Sequence, residues 1–213
     1  MQEKGFDAWA GQVYRAESNE DLRRKYDAWA ADYDRDMEGV RYTLPPLATG
    51  LFGRYVAPDA GEILDAGCGT GVLGEPLHLL GYQDLVGVDL SPEMLARAEA
   101  RGVYRELHAM DLGARLDFPD DRFAAAASLG VLTPGHAPPR ALDEMLRVTK
   151  PGGHLIFSVS RPAFENSGFE AHMDAIGAAG RWEACEATRP FLAIPGSKTE
   201  GDLECRFFVF RVL

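Results

Sequence analysis

Glu62-Ile63-Leu64-Asp65-Ala66-Gly67-Cys68-Gly69-Thr70-Gly71 is the stretch that decides the fold. It opens as a short apolar run ending in an acid, the pattern of a strand buried on both faces of a parallel sheet. Three glycines at alternate positions follow, and Val72, Leu73, Leu77, Leu79 and Leu80 then fall at spacings that suit a helix. Strand, glycine turn and helix form the first half of a βαβ unit. Glycine takes torsions closed to other residues and lets a ligand come close to the backbone. The free N–H groups at a helix start face the same turn.

Working outward, Gly69-Thr70-Gly71-Val72-Leu73-Gly74 also spells G-x-G-x-x-G, a dinucleotide fingerprint. Register opposes that reading, because the first glycine of a dinucleotide turn directly follows the strand, whereas Asp65 and Gly67 intervene here. A glycine-rich turn without any ligand is the remaining alternative. The placement of Asp65, Gly67, Gly69 and Gly71 resembles the first motif of class I S-adenosylmethionine-dependent methyltransferases, acid-x-Gly-x-Gly-x-Gly. That resemblance implies cofactor contacts from Asp65, Gly67, Cys68 and Gly69.

Downstream features keep the same order. Leu85-Val86-Gly87-Val88-Asp89 reads as a second strand ending in an acid. Ser91 suits an N-cap, Pro92 the first helical position and Glu93 the positive helix end, with Met94, Leu95 and Ala98 as the buried face. Asp89 lies 18 residues beyond Gly71, near the spacing expected of a ribose-binding acid. A strand-end acid that caps the next helix is the plainer reading. Tyr104 to Ala109 reads as a third strand, followed by Met110-Asp111-Leu112. The resemblance implies that Asp89 takes the ribose hydroxyls, that Asp111 takes the adenine amino group, and that Leu90, Met94, Leu112 and Leu129 complete the cofactor wall.

The fourth strand, Ala124 to Leu129, exits through Gly130-Val131-Leu132-Thr133-Pro134-Gly135-His136. Carboxyl ends of parallel strands open onto the ligand crevice, so His136 is the best-placed histidine for proton abstraction, against the reading of a surface-loop histidine without a role. The exit lacks the Asn-Pro-Pro-aromatic tetrapeptide of amino-methyltransferases acting on adenine or glutamine. Leu142, Met145 and Leu146 give a helix that ends in Lys150-Pro151-Gly152-Gly153, read as a reversal before a fifth strand, Leu155 to Val159. Phe164 to Ala179 is expected to be one helix carrying Glu165, Glu170, His172 and Asp174 over the crevice edge. Trp182 to Thr188 and Glu204 to Val212 alternate as a final hairpin with a long loop, Pro190 to Gly201.

Ahead of the core, Leu22, Tyr26, Trp29, Ala30, Tyr33 and Met37 fall on one face of a single helix, Asp21 to Met37. Phe6-Asp7-Ala8-Trp9-Ala10 is echoed by Tyr26-Asp27-Ala28-Trp29-Ala30, too few copies for a repeat architecture. A short docked or fraying helix is expected there. Pro45 and Pro46 start a helix running from Leu47 to Tyr55. The Tyr26 to Asp34 segment resembles the amino-terminal lid of small-molecule methyltransferases, implying that Tyr26 or Tyr33 closes over the cofactor. The Tyr26-Asp27-x-Trp29-Ala30, Ser91 to Leu95, Ala100 to Tyr104 and Leu146 to Gly153 segments resemble the Williams–Beuren-region methyltransferase-like proteins.

Composition narrows the classes. With 213 residues and 46% hydrophobic content the chain can bury one sizeable core. Its 33 acidic and 22 basic residues give a net charge of −11, which opposes general nucleic-acid binding. No run of 18 apolar residues predicts a membrane span, and Met1 to Gly5 lacks an apolar leader. Cys68, Cys185 and Cys205 have no metal-type spacing and read as free thiols of a reducing cytoplasm.

The expected fold is α/β: a Rossmann-like, doubly wound sheet of seven strands, mostly parallel with an antiparallel last strand, and helices on both faces. Residues 1–44 would form a helical lid and residues 45–213 the core. The resemblance implies an S-adenosylmethionine-dependent methyltransferase acting on a small-molecule acceptor by in-line displacement, with S-adenosylhomocysteine as product and no metal. A cofactor-binding regulatory protein without turnover and an NAD(P)-dependent reductase are the alternatives.

Overall fold

The computed structural model describes residues 5–133 and 135–213. The leader reading at Met1–Lys4 and the loop residue Pro134 lie outside the described residues. The centre is β1 (Ile63–Ala66), paired in parallel with β2 (Leu85–Asp89) on one side and β4 (Phe123–Leu132) on the other. Beyond β2 lies β3 (Tyr104–Ala109), and beyond β4 lies β5 (Thr149–Ser160), both parallel. β8 (Glu204–Val212) then runs antiparallel to β5, and β6 (Trp182–Ala187) antiparallel to β8. A two-residue strand, β7 (Phe191–Leu192), pairs with β8 and brings the sheet to eight strands, one more than expected. Two residues inside the Pro190 to Gly201 loop carry no period that a sequence reading could use.

Alternation along the strands divides the interior. Leu64, Ala126, Leu155, Phe157 and Val159 join one core cluster, with Phe208 and Phe210 from β8. Ile63, Ala125, Ala127, Ile156, Phe207 and Val209 join the other. Successive strand residues point to opposite faces, so a sheet covered on both sides must be apolar at nearly every position. α7 (Ala141–Val148), α8 (Arg161–Asn166) and α9 (Phe169–Ala178) cover the first face. α1 (Phe6–Val13), α2 (Asn19–Trp29), α3 (Tyr33–Gly39) and α4 (Leu44–Tyr55) supply apolar side chains to the second, with α5 (Gly74–Leu79). α6 (Pro92–Ala100) lies over β2 and β3.

Several elements differ from the sequence reading. The single helix from Asp21 to Met37 is two, α2 and α3, separated at Ala30 to Asp32. The buried Trp29 donates its indole N–H to Asp36, 3.0 Å away, and its ring meets Tyr33 edge-on, contacts that a tertiary break allows and no Gly or Pro announces. The helix after the glycine turn starts only at Gly74 and is six residues long, which leaves Leu79 85% exposed. Lys150 to Gly153 is a bulge inside β5, not a turn before it. Thr149 pairs with Phe123 and His154 with Ala125, so the strand starts where α7 ends. The helix expected from Phe164 to Ala179 breaks at Gly168, whose φ of +79° no helix contains. Glu165, Glu170 and Asp174 line grooves beside β6 and β8, and His172 bonds Asp143 at 2.8 Å, so none of the four reaches the crevice.

The two echoed tryptophans meet. Trp9 of α1 stacks on Trp29 of α2 at 13° between planes, which docks α1 against the second helix. Asp7 secures the same helix by accepting from Ser197 Oγ at 2.5 Å and from the Thr199 hydroxyl at 3.0 Å.

Phe157 is fully buried between Trp182, Phe208 and Phe210 on the first face. Phe157→Ala should cost about 3–5 kcal/mol, as cavity-forming core truncations do. At roughly 2–4 °C per kcal/mol for a chain of this size, calorimetry should show a fall of about 6–20 °C. Leu192→Ala, at a half-exposed edge position, should shift the transition by no more than about 2 °C.

Candidate active site

The strand order reverses between β1 and β4, and in such sheets ligands bind outside the carboxyl ends at that reversal. A cavity of about 710 Å³, counting its open mouth, lies there. Gly67 and Gly69 after β1, Asp89 and Leu90 at the end of β2, Met110 to Leu112 after β3 and Leu129 to Val131 of β4 all line it. Met94 of α6 and Ala137 close two sides, and Asn19, Leu22, Tyr26 and Tyr33 approach from the amino-terminal helices.

The glycine turn is shaped by two different needs. Gly67 has φ +82°, and a Cβ there would lie 2.3 Å from Val131 Cγ2, so this position is reserved for packing against β4. Gly69 has φ +55°, and a Cβ would meet nothing within 4 Å, so here the turn is open to a ligand. Asp89 holds the turn in place. Its Oδ2 accepts from Gly69 N–H at 2.9 Å and its Oδ1 from Ser91 N–H at 2.9 Å. Burial raises its pKa, and those N–H donors act in the opposite direction. Leu90 N–H is a third backbone donor to this carboxylate, and the lone-pair site left over is open to a ligand hydroxyl.

Asp111 is held in a similar way, accepting from Gly113 N–H at 2.7 Å and from the Asn19 side-chain amide at 2.6 Å. That second bond belongs to a set of clasps between α2 or α3 and the cavity rim. Ser91 Oγ accepts from Met94 N–H as the cap of α6 and donates to Asp27 at 2.6 Å. Thr70 Oγ1 donates to Asp34 at 2.5 Å, and Arg101 joins Asp34, the Thr70 carbonyl and Glu75. The acidic side chains of the amino-terminal helices therefore bind the loops that form the cavity.

Behind the cavity lies a second chamber of about 560 Å³, open space included, between α1, α2, α3 and the loop after β7. Tyr26, Tyr33, Gly130 and His136 line both spaces. The Tyr26 hydroxyl lies 2.7 Å from His136 Nε2, and Thr133 Oγ1 lies 3.1 Å from Nδ1. Burial keeps Tyr26 and Tyr33 well above the usual phenol pKa, so both are neutral donors.

Most of the residues singled out from the sequence meet in the first cavity: Tyr26, Tyr33, Gly67, Gly69, Asp89, Leu90, Met94, Asp111, Leu112, Leu129 and His136. Asp65 and Cys68 do not. Asp65 is buried beneath the turn and accepts from the Tyr104 hydroxyl at 2.6 Å. Cys68 is buried towards Gly87, and burial pushes its thiol pKa up, so it is a neutral packing group. Both belong to the scaffold under the site. Sequence reasoning missed Asn19, Leu22, Met110, Gly130, Val131 and Ala137. Met110, Gly130 and Val131 adjoin strand ends already read as ligand-facing, a usable signal. Asn19 and Leu22 reach the cavity only through the docking of α2. Among the described residues no cluster of three or more His, Cys, Asp or Glu could hold a metal ion, and no helix is long and apolar enough to cross a membrane.

A doubly wound sheet with strand-end acids around a glycine turn, and a cavity at the reversal of strand order, is the architecture of a nucleotide-binding type of α/β protein. Sequence comparison then gives the family. Residues 64–157 match the model of a methyltransferase domain. Over 177 residues the chain is 38% identical to human methyltransferase-like protein 27, covering 78% of this chain and 71% of that one. The chain belongs to the class I S-adenosylmethionine-dependent methyltransferases. In fold it is similar to the [4+2]-cyclase SpnF, with a TM-score of 0.72, 17% identity and coverage of 92% and 97%. It is also similar to a methyltransferase in complex with the Haloferax volcanii Trm112 activator, with a TM-score of 0.63, 21% identity and coverage of 88% and 97%. The reductase alternative falls with the family.

Asp65 has a pH signature. Burial raises its pKa from the usual 3.8 to about 7, partly offset by the Tyr104 hydrogen bond. The folded chain therefore holds this proton more tightly than the unfolded chain between those values, and stability attributable to Asp65 falls as pH rises through that window. Asp65→Asn keeps an acceptor for Tyr104 and has no charge to bury. Its melting temperature should match the wild type near pH 4 and exceed it by roughly several degrees at pH 8. A difference independent of pH would exclude a buried, titrating Asp65.

Proposed function

We propose that this methyltransferase acts on a small-molecule acceptor, which it encloses beneath its amino-terminal helices. The observation that carries the reading is the second chamber. It adjoins the cofactor cavity through Tyr26, Tyr33, Gly130 and His136 and is roofed by α1, α2 and α3. A partly open apolar space of this kind suits a small ligand.

The cavity residues fit the methyl donor. Asp89 has a lone-pair site left for a ribose hydroxyl, and Asp111 has an acid edge for an amino group. Leu90, Met94, Leu112 and Leu129 offer apolar walls to a base, and the opening at Gly69 lets a ligand approach the turn. S-adenosylmethionine, when bound, supplies a methyl group already activated on a sulfonium. The chain therefore has to align the acceptor with that methyl and exclude water. Residues 1–44 serve as the lid and residues 45–213 as the core in this reading, and Asp27, Asp34, Asn19 and Tyr26 are the points at which the lid grips the core. The three free cysteines, one of them exposed, suit a reducing cytoplasm.

Two outcomes follow. S-adenosylhomocysteine should raise the melting temperature, whereas NADH should not, since a ligand of the native state stabilises it. Asp89→Ala should weaken S-adenosylhomocysteine by roughly ten- to hundredfold in calorimetry, the size of one or two charge-assisted hydrogen bonds. Unchanged affinity in a folded variant would remove Asp89 from the site.

Lid residues that must release ligand are drawn from the less stable parts of a fold. Amides of residues 19–39 should exchange faster in the free protein than with S-adenosylhomocysteine bound. Equal exchange in both states would make these helices permanent scaffold.

A further inference from the structure

The second chamber has a definite chemistry. Its walls are apolar and aromatic, with Val13, Trp29, Met37, Tyr42, Ile194 and Leu203 among them. No Asp, Glu, Lys or Arg lines it among the described residues. Glu200 faces an outer groove and holds the Tyr14 hydroxyl. Burial keeps the Tyr14, Tyr42 and Cys205 groups in their neutral forms at neutral pH. A charged ligand would lose its hydration here without gaining a partner, a cost of several kcal/mol or more. An aromatic cage for a cation needs free ring faces. Trp29 is only 2% exposed and is surrounded by the rings of Phe6, Trp9, Tyr26 and Tyr33, so its faces are used within the fold.

The chamber nevertheless has one polar assembly, at its boundary with the cofactor cavity. Thr133, His136 and Tyr26 form a chain from Oγ1 to Nδ1 at 3.1 Å and from Nε2 to the phenol oxygen at 2.7 Å. The edge of the Tyr14 ring contacts the same imidazole. With Nδ1–H donated to Thr133, Nε2 accepts from the Tyr26 hydroxyl, and the phenol oxygen keeps a lone pair for a third partner.

Resting on the methyl-transfer reading above, we propose that the acceptor is an uncharged apolar molecule bearing a hydroxyl, with the ring of a phenol the best match, and that its proton leaves through Tyr26 to His136. The acceptor oxygen forms its bond to the methyl carbon, and the carbon–sulfur bond breaks with its electron pair remaining on sulfur. The acceptor proton passes to the Tyr26 oxygen while the Tyr26 proton passes to His136 Nε2. The products are a methyl ether, a neutral thioether and an imidazolium that returns its proton to solvent. Tyr26 is the catalytic residue that touches the acceptor, and His136 and Thr133 are positioning residues acting through it.

The test uses the full chain saturated with S-adenosylhomocysteine and titrated with 4-propylphenol, tyramine and 4-hydroxyphenylpropionate, three phenols of similar size that differ in charge. Calorimetry should show 4-propylphenol binding at least about tenfold more tightly than either charged probe, the counterpart of about 1.4 kcal/mol. Ala193→Phe, and independently Ala10→Phe from the opposite wall, should weaken 4-propylphenol by about tenfold or more while S-adenosylhomocysteine affinity is kept. In turnover with S-adenosylmethionine, His136→Ala should lower kcat for 4-propylphenol about a hundredfold with little change in KM. The same variant should still bind 4-propylphenol within about threefold of the wild type in calorimetry, because the loss lies in the proton path and not in the chamber walls. Binding of a charged probe as tight as 4-propylphenol, absence of binding or turnover with 4-propylphenol, or an unchanged kcat in His136→Ala would overturn the proposal. Failure of S-adenosylhomocysteine itself to bind would instead overturn the cofactor reading on which it rests.

Discussion

The carboxylate of Asp89 joins the two loops on which the site depends. One oxygen takes the N–H of Gly69 and the other the N–H of Ser91, so a single strand-end acid fixes both the glycine turn after β1 and the start of α6. A half-buried carboxylate is stabilised when such donors offset its lost hydration. Here they come from backbone groups that have no helix or sheet partner of their own. The same residue thus orders its surroundings while lining the cavity.

A second layer of acids extends this order to the amino-terminal helices. Asp27 takes the Ser91 hydroxyl that caps α6, and Asp34 takes Thr70 together with Arg101. Arg101 in turn holds the Thr70 carbonyl and Glu75, so the glycine turn is gripped from above and from the side. Part of the net charge of −11 is therefore engaged in local hydrogen bonds around the cavity rim. Contacts of this kind at an exposed rim are individually weak.

The aromatic residues of α1 and α2 have a different role. Trp29 anchors Phe6, Trp9, Tyr26 and Tyr33, and this packing leaves the Tyr26 hydroxyl against His136. The apolar chamber and its polar boundary are thus made by one aromatic cluster, with the phenol groups kept neutral by burial. Chemistry in such a space depends on where a proton can go rather than on fixed charge.

The sequence by itself determined the sheet, the glycine turn, the capped start of α6 and the acids at the strand ends. These features are local, since a strand's alternation, a Ser-Pro cap and a turn glycine are each specified within a few residues. It also placed His136 near the crevice, because a strand's exit has a known direction in a parallel sheet. Tertiary structure alone decided that Asp65 and Cys68 are buried beneath the turn and do not line the cavity, for burial depends on what Tyr104 and β2 pack against them. It decided the break between α2 and α3, which follows from the seating of Trp29 and has no Gly or Pro to mark it. It decided, too, that Tyr26 meets His136 across 110 residues and that Thr43 meets the backbone of Leu192 across 149. No period or motif spans such separations, so the second chamber exists only once distant segments have been brought together by the core.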